Sequence, residues 1–586
     1  MEMVMNVAFP CRQQNVRNCT VGPATMRRFW NCVFFILSFL CNESFAQDEN
    51  RVVFSFGAFQ NVSVPENGSV QAVVTRIPTD VSFITLQFHS QHRNATLSYT
   101  RVPLPGFSLT ASDTGLLSTL TPFQSWLSWF LLSPGGDNVD GAGVILPYTT
   151  QDPVPGACNT EFSLDIDPNV YLRYNIYETV ITFAPANVGY ARGANPPQCD
   201  TTMGAGTRWR LEYDIYQYFL PENDLSEQSL IVSLERVANV MSLRQHAKRL
   251  MTLNSNAPPM VSFSSIVGQG VIYSVIVRDP LLNTSAAYIP AHTYGCSFLS
   301  TLDNCGTLGR LSTKIFFTIA GFAGLFVCFF GHRFFKCELF CMGFAFSAFF
   351  FFVLITRTTI LDYDIRLALT ALIGTVGGVF LVMWWWRFGS VMACVMVVGL
   401  ILGFLFASAI FFTPLGDLEV FRSDVVFWVT FGCFMVIVPI LFVRWPREGN
   451  IITCGVAGGY AVVLAVNAYI YTSLAYMTLD VLKRFLNNNF NRAFISVPFQ
   501  DIDFIMITVW VVLGVSGIVL QLYRERNRPF FPPSPYLMWR QERERRKTNV
   551  LDPSHHTPSF PARVTARLRQ LTSRPEHTGE RTPLLL

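Results

Sequence analysis

Asp165 and Asp167 flank Ile166 in LDIDPN, a spacing that puts two carboxyl groups on one face of a strand. Carboxylates so placed could hold calcium or share acid and base work on a glycoside. The competing reading is a strand that simply ends in an Asp-Pro turn. His89, His92, His246 and His292 show no metal-ligand spacing with one another. Gly268-Gln269-Gly270 lacks the Lys and the helix signature of a phosphate loop and reads as a turn. No catalytic constellation, cofactor site or metal site is therefore expected, nor is nucleic acid as a partner.

Cysteines sort by region. Cys158, Cys199, Cys296 and Cys305 lie in the polar region after the leader, an even set that implies two disulfides in an exported segment with three possible pairings. Proximity favours Cys158–Cys199 and Cys296–Cys305. No Cys-x-x-Cys pair occurs after the leader, which removes a thiol-redox or zinc reading. Asn61, Asn67, Asn94 and Asn283 each open an Asn-x-Ser/Thr sequon, and none follows Asn283. Both features point to an exported segment.

The elements that must carry these residues fall into two classes. Of 586 residues, 51% are hydrophobic and 14% charged, with 53 Phe, the composition of a membrane protein. A helix needs roughly 20 apolar residues to cross a ~30 Å hydrocarbon core. Seven blocks reach that length: about 315–331, 339–356, 367–386, 388–412, 425–443, 451–472 and 504–522. Before them, 47–311 reads as an all-β ectodomain of one or two sandwich-like modules, divided near the Pro-rich DPVPGAC at 152–158. Its strands are expected at 52–59, 70–77, 81–88, 142–148, 161–166, 180–184, 208–219 and 271–278, with one helix near 226–241. Residues 1–46 read as a leader with a signal peptide: Arg27 and Arg28 precede an apolar run, and small residues favour cleavage between Ala46 and Gln47. Met26 is the expected working start.

Charge orients the spans. The formal net charge is +4, yet from Tyr523 onward 13 Lys and Arg face 6 Asp and Glu, so the tail 523–586 carries +7 and the rest about −3. The basic tail and Arg333, Lys336, Arg387, Arg444 and Arg447 in short loops place the C-terminus in the cytosol and the N-terminus outside or in the lumen. Trp384, Trp385 and Trp386 beside Arg387 form an expected interfacial belt. Inside the blocks there is no Asp, Glu, Lys, Arg or His, which counts against proton coupling. Asn467, deep in block six, is expected to hydrogen-bond between helices. Gly374/Gly378, Gly399/Gly403 and Gly455/Gly459 form Gly-x-x-x-Gly pairs that allow close packing within the bundle. Leu479, Leu482, Leu486, Phe490 and Phe494 mark an amphipathic helix lying on the outer membrane face.

The tail is expected to be largely disordered. Its last residues place Glu580 ahead of Leu584-Leu585, the acidic dileucine form that clathrin adaptors bind as an extended peptide.

Long stretches of the chain, including DPVPGACNTEFSLDIDPNVYLRYN, ITFAPANVGYARG, CFFGHRFFK, FFTPLG, RERNRPFFPPSPY and GERTPLLL, closely resemble the transmembrane 7 superfamily member 3 family. The seven-helix part also looks like the domain shared with transmembrane protein 198-like proteins. The resemblance covers nearly the whole chain after the leader; the N-terminal 25 residues depart from it. It implies a glycosylated, signal-bearing seven-span membrane protein without known enzymatic activity; the expected location is the cell membrane, with endosomal, lysosomal or endoplasmic-reticulum pools. It further implies a role in cell survival and in damping endoplasmic-reticulum stress, with an unidentified protein partner of the ectodomain and the lipid bilayer as surroundings. The alternatives are an orphan seven-span receptor or a channel or transporter.

Overall fold

The computed structural model describes residues 50–200, 204, 206–298, 304–305, 310–470, 472–527, 531–548, 561 and 563–567. The cleavage point at Ala46 and Gln47 and the dileucine residues Glu580, Leu584 and Leu585 lie outside the described residues. The chain forms two compact units. One runs to Pro168 and takes in Ala186–Thr207; the other holds Asn169–Pro185 and everything from Arg208 onward.

The first unit is a sandwich of two sheets. One orders β1 (Asn50–Val53), β3 (Ser69–Thr75), β8 (Trp126–Leu132), β5 (Ala95–Ser98) and β6 (Ser108–Ala111); β1 runs parallel to β3 and the rest are antiparallel. The other orders β2 (Gln60–Val64), β9 (Val139–Thr149), β4 (Val81–His89) and β7 (Asp113–Thr119). Alternation supplies the core: Val70, Ala72, Trp129 and Leu131 from one sheet meet Ile84, Leu86, Phe88 and Leu116 from the other. The Trp129 indole N–H donates to Ser118 Oγ at 3.0 Å, so the largest core side chain leaves no orphan donor.

The expected strand at 161–166 is absent. Those residues form bends wound around Asn159, whose amide N–H groups reach the carbonyls of Phe162 and Leu164 while its Oδ1 accepts from the backbone of Glu161 and Phe162. A side chain that satisfies four backbone groups leaves none for a ladder. Asp165 is exposed and Asp167 buried, so the two carboxyls do not share a face. The expected strand at 52–59 also stops short, because Gly57 takes φ +73°.

The second unit begins with another pair of sheets. β10 (Val170–Tyr174), β11 (Glu178–Phe183) and β14 (Met260–Ser264) make one; β13 (Lys248–Asn254), β12 (Glu212–Phe219), β15 (Val271–Asp279) and β16 (Thr284–Ala287) make the other, with β17 (Ala291–Thr293) also on β15. Phe263 stacks on Tyr273 at 4.7 Å between ring centroids, linking the sheets. The expected helix at 226–241 is two helices, α1 (Glu227–Arg236) and α2 (Val240–His246), because Asn239 caps a new start. Ser226 caps the first, as its position suggests.

Among the described residues, seven helices of this unit are long and apolar enough to span a membrane. They are α3 (Leu311–Phe330), α4 (Phe335–Thr358), α5 (Tyr363–Phe388), α6 (Val391–Phe412), α7 (Asp424–Arg444), α8 (Pro446–Asn467) and α10 (Asp501–Glu525), with the shorter α9 (Tyr476–Leu486) before the last. The three Gly-x-x-x-Gly pairs face other helices of the same chain. A methyl group at Gly378 would lie 2.7 Å from the Phe340 carbonyl, one at Gly403 would lie 2.0 Å from the Met435 carbonyl, and one at Gly455 would lie 2.6 Å from Ile518. Gly374, Gly399 and Gly459 likewise abut Phe344, Pro439 and Trp510. Of the three adjacent tryptophans, Trp385 turns inward and is buried while Trp384 and Trp386 stay exposed, as a helix period dictates.

Candidate functional site

Two polar assemblies stand out in the second unit, one at each end of the helices. The first joins β14 to α9. The period of α9 sets Asp480 and Arg484 beside Met477 and Val481, with Lys483 on the flank, and all five are buried. The Asp480 carboxylate accepts from Ser264 Oγ at 2.7 Å, and Lys483 Nζ donates to Ser264 Oγ and to the Ser265 carbonyl, each at 2.8 Å. Lys483 and Asp480 are 3.5 Å apart, and the ammonium lies over the rings of Tyr476 and Phe490. The Tyr476 hydroxyl accepts from the Val267 amide at 3.1 Å. Phe494 extends the seam: its amide and carbonyl pair with Ser262 and Ser264 on the edge of β14, both at 2.9 Å.

Burial pushes the Asp480 carboxyl up and the Lys483 ammonium down, each against the pull of its partner. Asp417 nearby is raised for the same reason. Arg484 is held by Asp424 at 3.0 Å and lies 3.7 Å above the Phe427 ring. A cavity of about 20 Å³ lined by Gln269, Ser473, Tyr476 and Pro498 adjoins the seam, room for about one water. The extent of the expected amphipathic helix is thus corrected. Asp480 and Lys483 of α9 are covered by β14, the helix ends at Leu486, and Phe490 and Phe494 belong to the turn and edge contact beyond it.

The second assembly lies at the other end. Block two starts earlier than its hydropathy suggests: α4 begins at Phe335, so Glu338 sits inside a span and is fully buried. Asn450 and Cys454, on α8, are its polar neighbours. The Asn450 amide is 3.3 Å from His332 Nδ1; the His332 backbone N–H donates to Gln521 Oε1 at 3.0 Å, and Gln521 Nε2 donates to the Cys328 carbonyl at 2.7 Å. Phe531, just beyond α10, covers this end with its ring 5.2 Å from His332 and 5.5 Å from Phe335. The view that the spans hold no ionisable group is corrected here: the polar HRFFKCE segment hid the first turn of the helix.

The remaining residues singled out by type and spacing fall as follows. Cys158 pairs with Cys199 and Cys296 with Cys305. Asn61, Asn67, Asn94 and Asn283 are all exposed. Asn467 is the last residue of α8 and caps its own chain, its Oδ1 accepting from the Thr472 amide at 2.7 Å, rather than reaching another helix. His89 pairs with Asp113 at 2.7 Å within the first unit. No group of three or more potential metal ligands occurs among the described residues.

Residues 50–148 match the family of TM7SF3-like N-terminal immunoglobulin-like domains, 153–299 the second immunoglobulin-like domain of the same proteins, and 317–522 the TM7S3/TM198-like domain. Transmembrane 7 superfamily member 3 of Homo sapiens is 53% identical over 541 residues, covering 92% of this chain and 95% of the relative. The proteins of that name from Rattus norvegicus and Mus musculus are 51% and 52% identical over 564 residues, covering 95% of this chain and 100% of each relative. Among solved structures, a β-1,2-glucanase from Parabacteroides distasonis aligns over 53% of this chain and 43% of its own with a TM-score of 0.13 and 11% identity, too little to bear on fold or activity. The immunoglobulin-like pair, the seven spans and the extent of the identity agree: the chain belongs to the transmembrane 7 superfamily member 3 family.

Proposed function

We propose that this chain is a non-enzymatic membrane glycoprotein that supports cell survival by attenuating endoplasmic-reticulum stress and the unfolded protein response. Family membership supports the reading. The observation that carries it is the buried seam between β14 and α9, which ties an immunoglobulin-like domain to the spanning helices through Ser264, Asp480 and Lys483. A protein partner engaged by the ectodomain would load that seam, and the helices would receive the strain. In this reading the leader is removed after Ala46, the exposed sequons carry glycans, and the basic tail faces the cytosol. The protein resides chiefly at the cell membrane, and the Glu580/Leu584/Leu585 terminus recruits a clathrin adaptor that supplies its endosomal and lysosomal pools.

The test is rescue in cells lacking the protein, challenged with an inhibitor of lumenal folding and scored by an unfolded-protein-response reporter and by survival. Wild type lowers the reporter, and a Ser264→Ala/Lys483→Met variant at equal surface level does not. Equal reporter signals with and without the wild-type chain would reject the role. Proximity labelling from the ectodomain side identifies the partner.

A further inference from the structure

The tail-end assembly contains a set of polar atoms without well-aligned partners among the described residues. Among the described residues, neither carboxyl oxygen of Glu338 makes a well-aligned hydrogen bond, although Asn450 and Cys454 stand beside it, and neither do Asn450 Oδ1 or Trp385 Nε1. All three residues are buried, on α4, α8 and α5. Buried polar groups in folded proteins are almost always paired, and unpaired ones cluster where something else binds. Here three of the four orphans are acceptors on two adjacent residues, so the missing partner is a donor.

The surroundings narrow what that donor can be. The Cys454 thiol on α8 stands beside Glu338, Cys341 and Cys394 lie in the same region, and His332 is linked to it through Asn450. Phe335, Leu339, Leu381 and Val398 supply apolar walls, and Phe531 packs against this cluster from the tail side. A metal cation needs more oxygen ligands than two side chains supply. A bare carboxylate in such walls would be an uncompensated charge at membrane depth. A single hydrogen on the carboxyl answers both demands, because it removes the charge and gives Asn450 Oδ1 its donor.

We propose that Glu338 is a proton-binding site built into the helical bundle, with Asn450 as the hydrogen-bond acceptor of its carboxyl group and Phe531 as the cover on the tail side. The site gives the bundle a group that can hold and release a proton and that forms no ion pair among the described residues, a capacity separate from partner binding by the ectodomain.

Infrared difference spectroscopy tests this on the full chain in lipid nanodiscs. Wild type minus Glu338→Gln at neutral pH should show the C=O stretch of a neutral carboxyl group, shifted by deuterium and unchanged when sodium is replaced by choline. Carboxylate stretches in its place, or a band that follows the cation, would overturn the proposal. Asn450→Leu provides a reading that does not depend on the Gln variant folding: the neutral carboxyl band should keep its area and move to the frequency of an unbonded acid. A band that stays where it was would remove Asn450 from the site and refute the pairing.

Discussion

Lys483→Met isolates the seam. The substitution keeps the apolar stem but deletes an ammonium that donates to Ser264 Oγ and the Ser265 carbonyl and faces Asp480 at 3.5 Å. Asp480, 5% exposed, is left with only the Ser264 hydroxyl, and its second oxygen already has no partner. Breaking a buried pair by removing one member costs about 3–5 kcal/mol, because the surviving charge stays desolvated. At about 1.4 kcal/mol per decade, the opening equilibrium of the seam should rise by roughly two to four orders of magnitude. Hydrogen exchange of the amides in β14 and α9, measured in nanodiscs, reads that opening directly. Asp480→Asn/Lys483→Met should recover most of the protection, since a neutral pair carries no stranded charge. Wild-type exchange in the single variant, or equal opening in single and double, would refute the reasoning.

Further outcomes follow from the same geometry. Cys158→Ser/Cys199→Ser opens a loop with a sequence separation of 41, so the first unit should lose about 4 kcal/mol by loop entropy, seen as a lower urea midpoint. Gly403→Ala places a methyl 2.0 Å from the Met435 carbonyl and should cost about 1–3 kcal/mol of bundle stability. Gly432→Ala, with nothing within 4 Å of the new atom, should leave thermal melting unchanged. Arg192→Ala strips a guanidinium that donates to the carbonyls of Val81, Pro78 and Gln124, and should make the 120–125 turn the first site of limited proteolysis. Burial raises the carboxyls of Asp417 and Asp480, so their contribution is full below the unfolded carboxylate value and is lost as pH rises through the folded one. Lys483, lowered by burial, acts oppositely, its contribution lost as pH falls through the folded value. The melting temperature of the seam should therefore fall as pH rises above the unfolded carboxylate value of about 4, and Asp417→Asn/Asp480→Asn should flatten that slope; a melting temperature that climbs there would contradict it.

What the sequence made legible was whatever depends on composition over a long window. Seven apolar stretches become seven helices because hydrocarbon thickness sets their length, and glycine spacing reports close helix contacts for the same local reason. Residues whose surroundings come from distant segments were harder to place. Glu338 looked like part of a polar loop because HRFFKCE is polar on average, yet helix α4 starts three residues before it. Asp480 and Lys483 looked like a solvent-facing stripe, since nothing in 476–486 announces that Ser264 will cover it. Asp165 and Asp167 fitted a strand only while the side chain of Asn159 was ignored. In each case a contact remote in sequence, or a side chain competing with the backbone, decided the outcome.

The edge pairing of Phe494 with β14 also sets a timetable. Ser262 and Ser264 are made before any spanning helix, whereas Phe494 follows six of them. At ~5–20 residues per second, the ribosome needs roughly 10–50 s to cover that interval. For that time β14 stands as an open sheet edge and Ser264 waits without Asp480. The immunoglobulin-like domain thus cannot complete its surface until the last connection of the bundle has been synthesised. Each nascent molecule exposes an unfinished strand to the folding machinery of its compartment, and only correct insertion of the preceding six helices withdraws it.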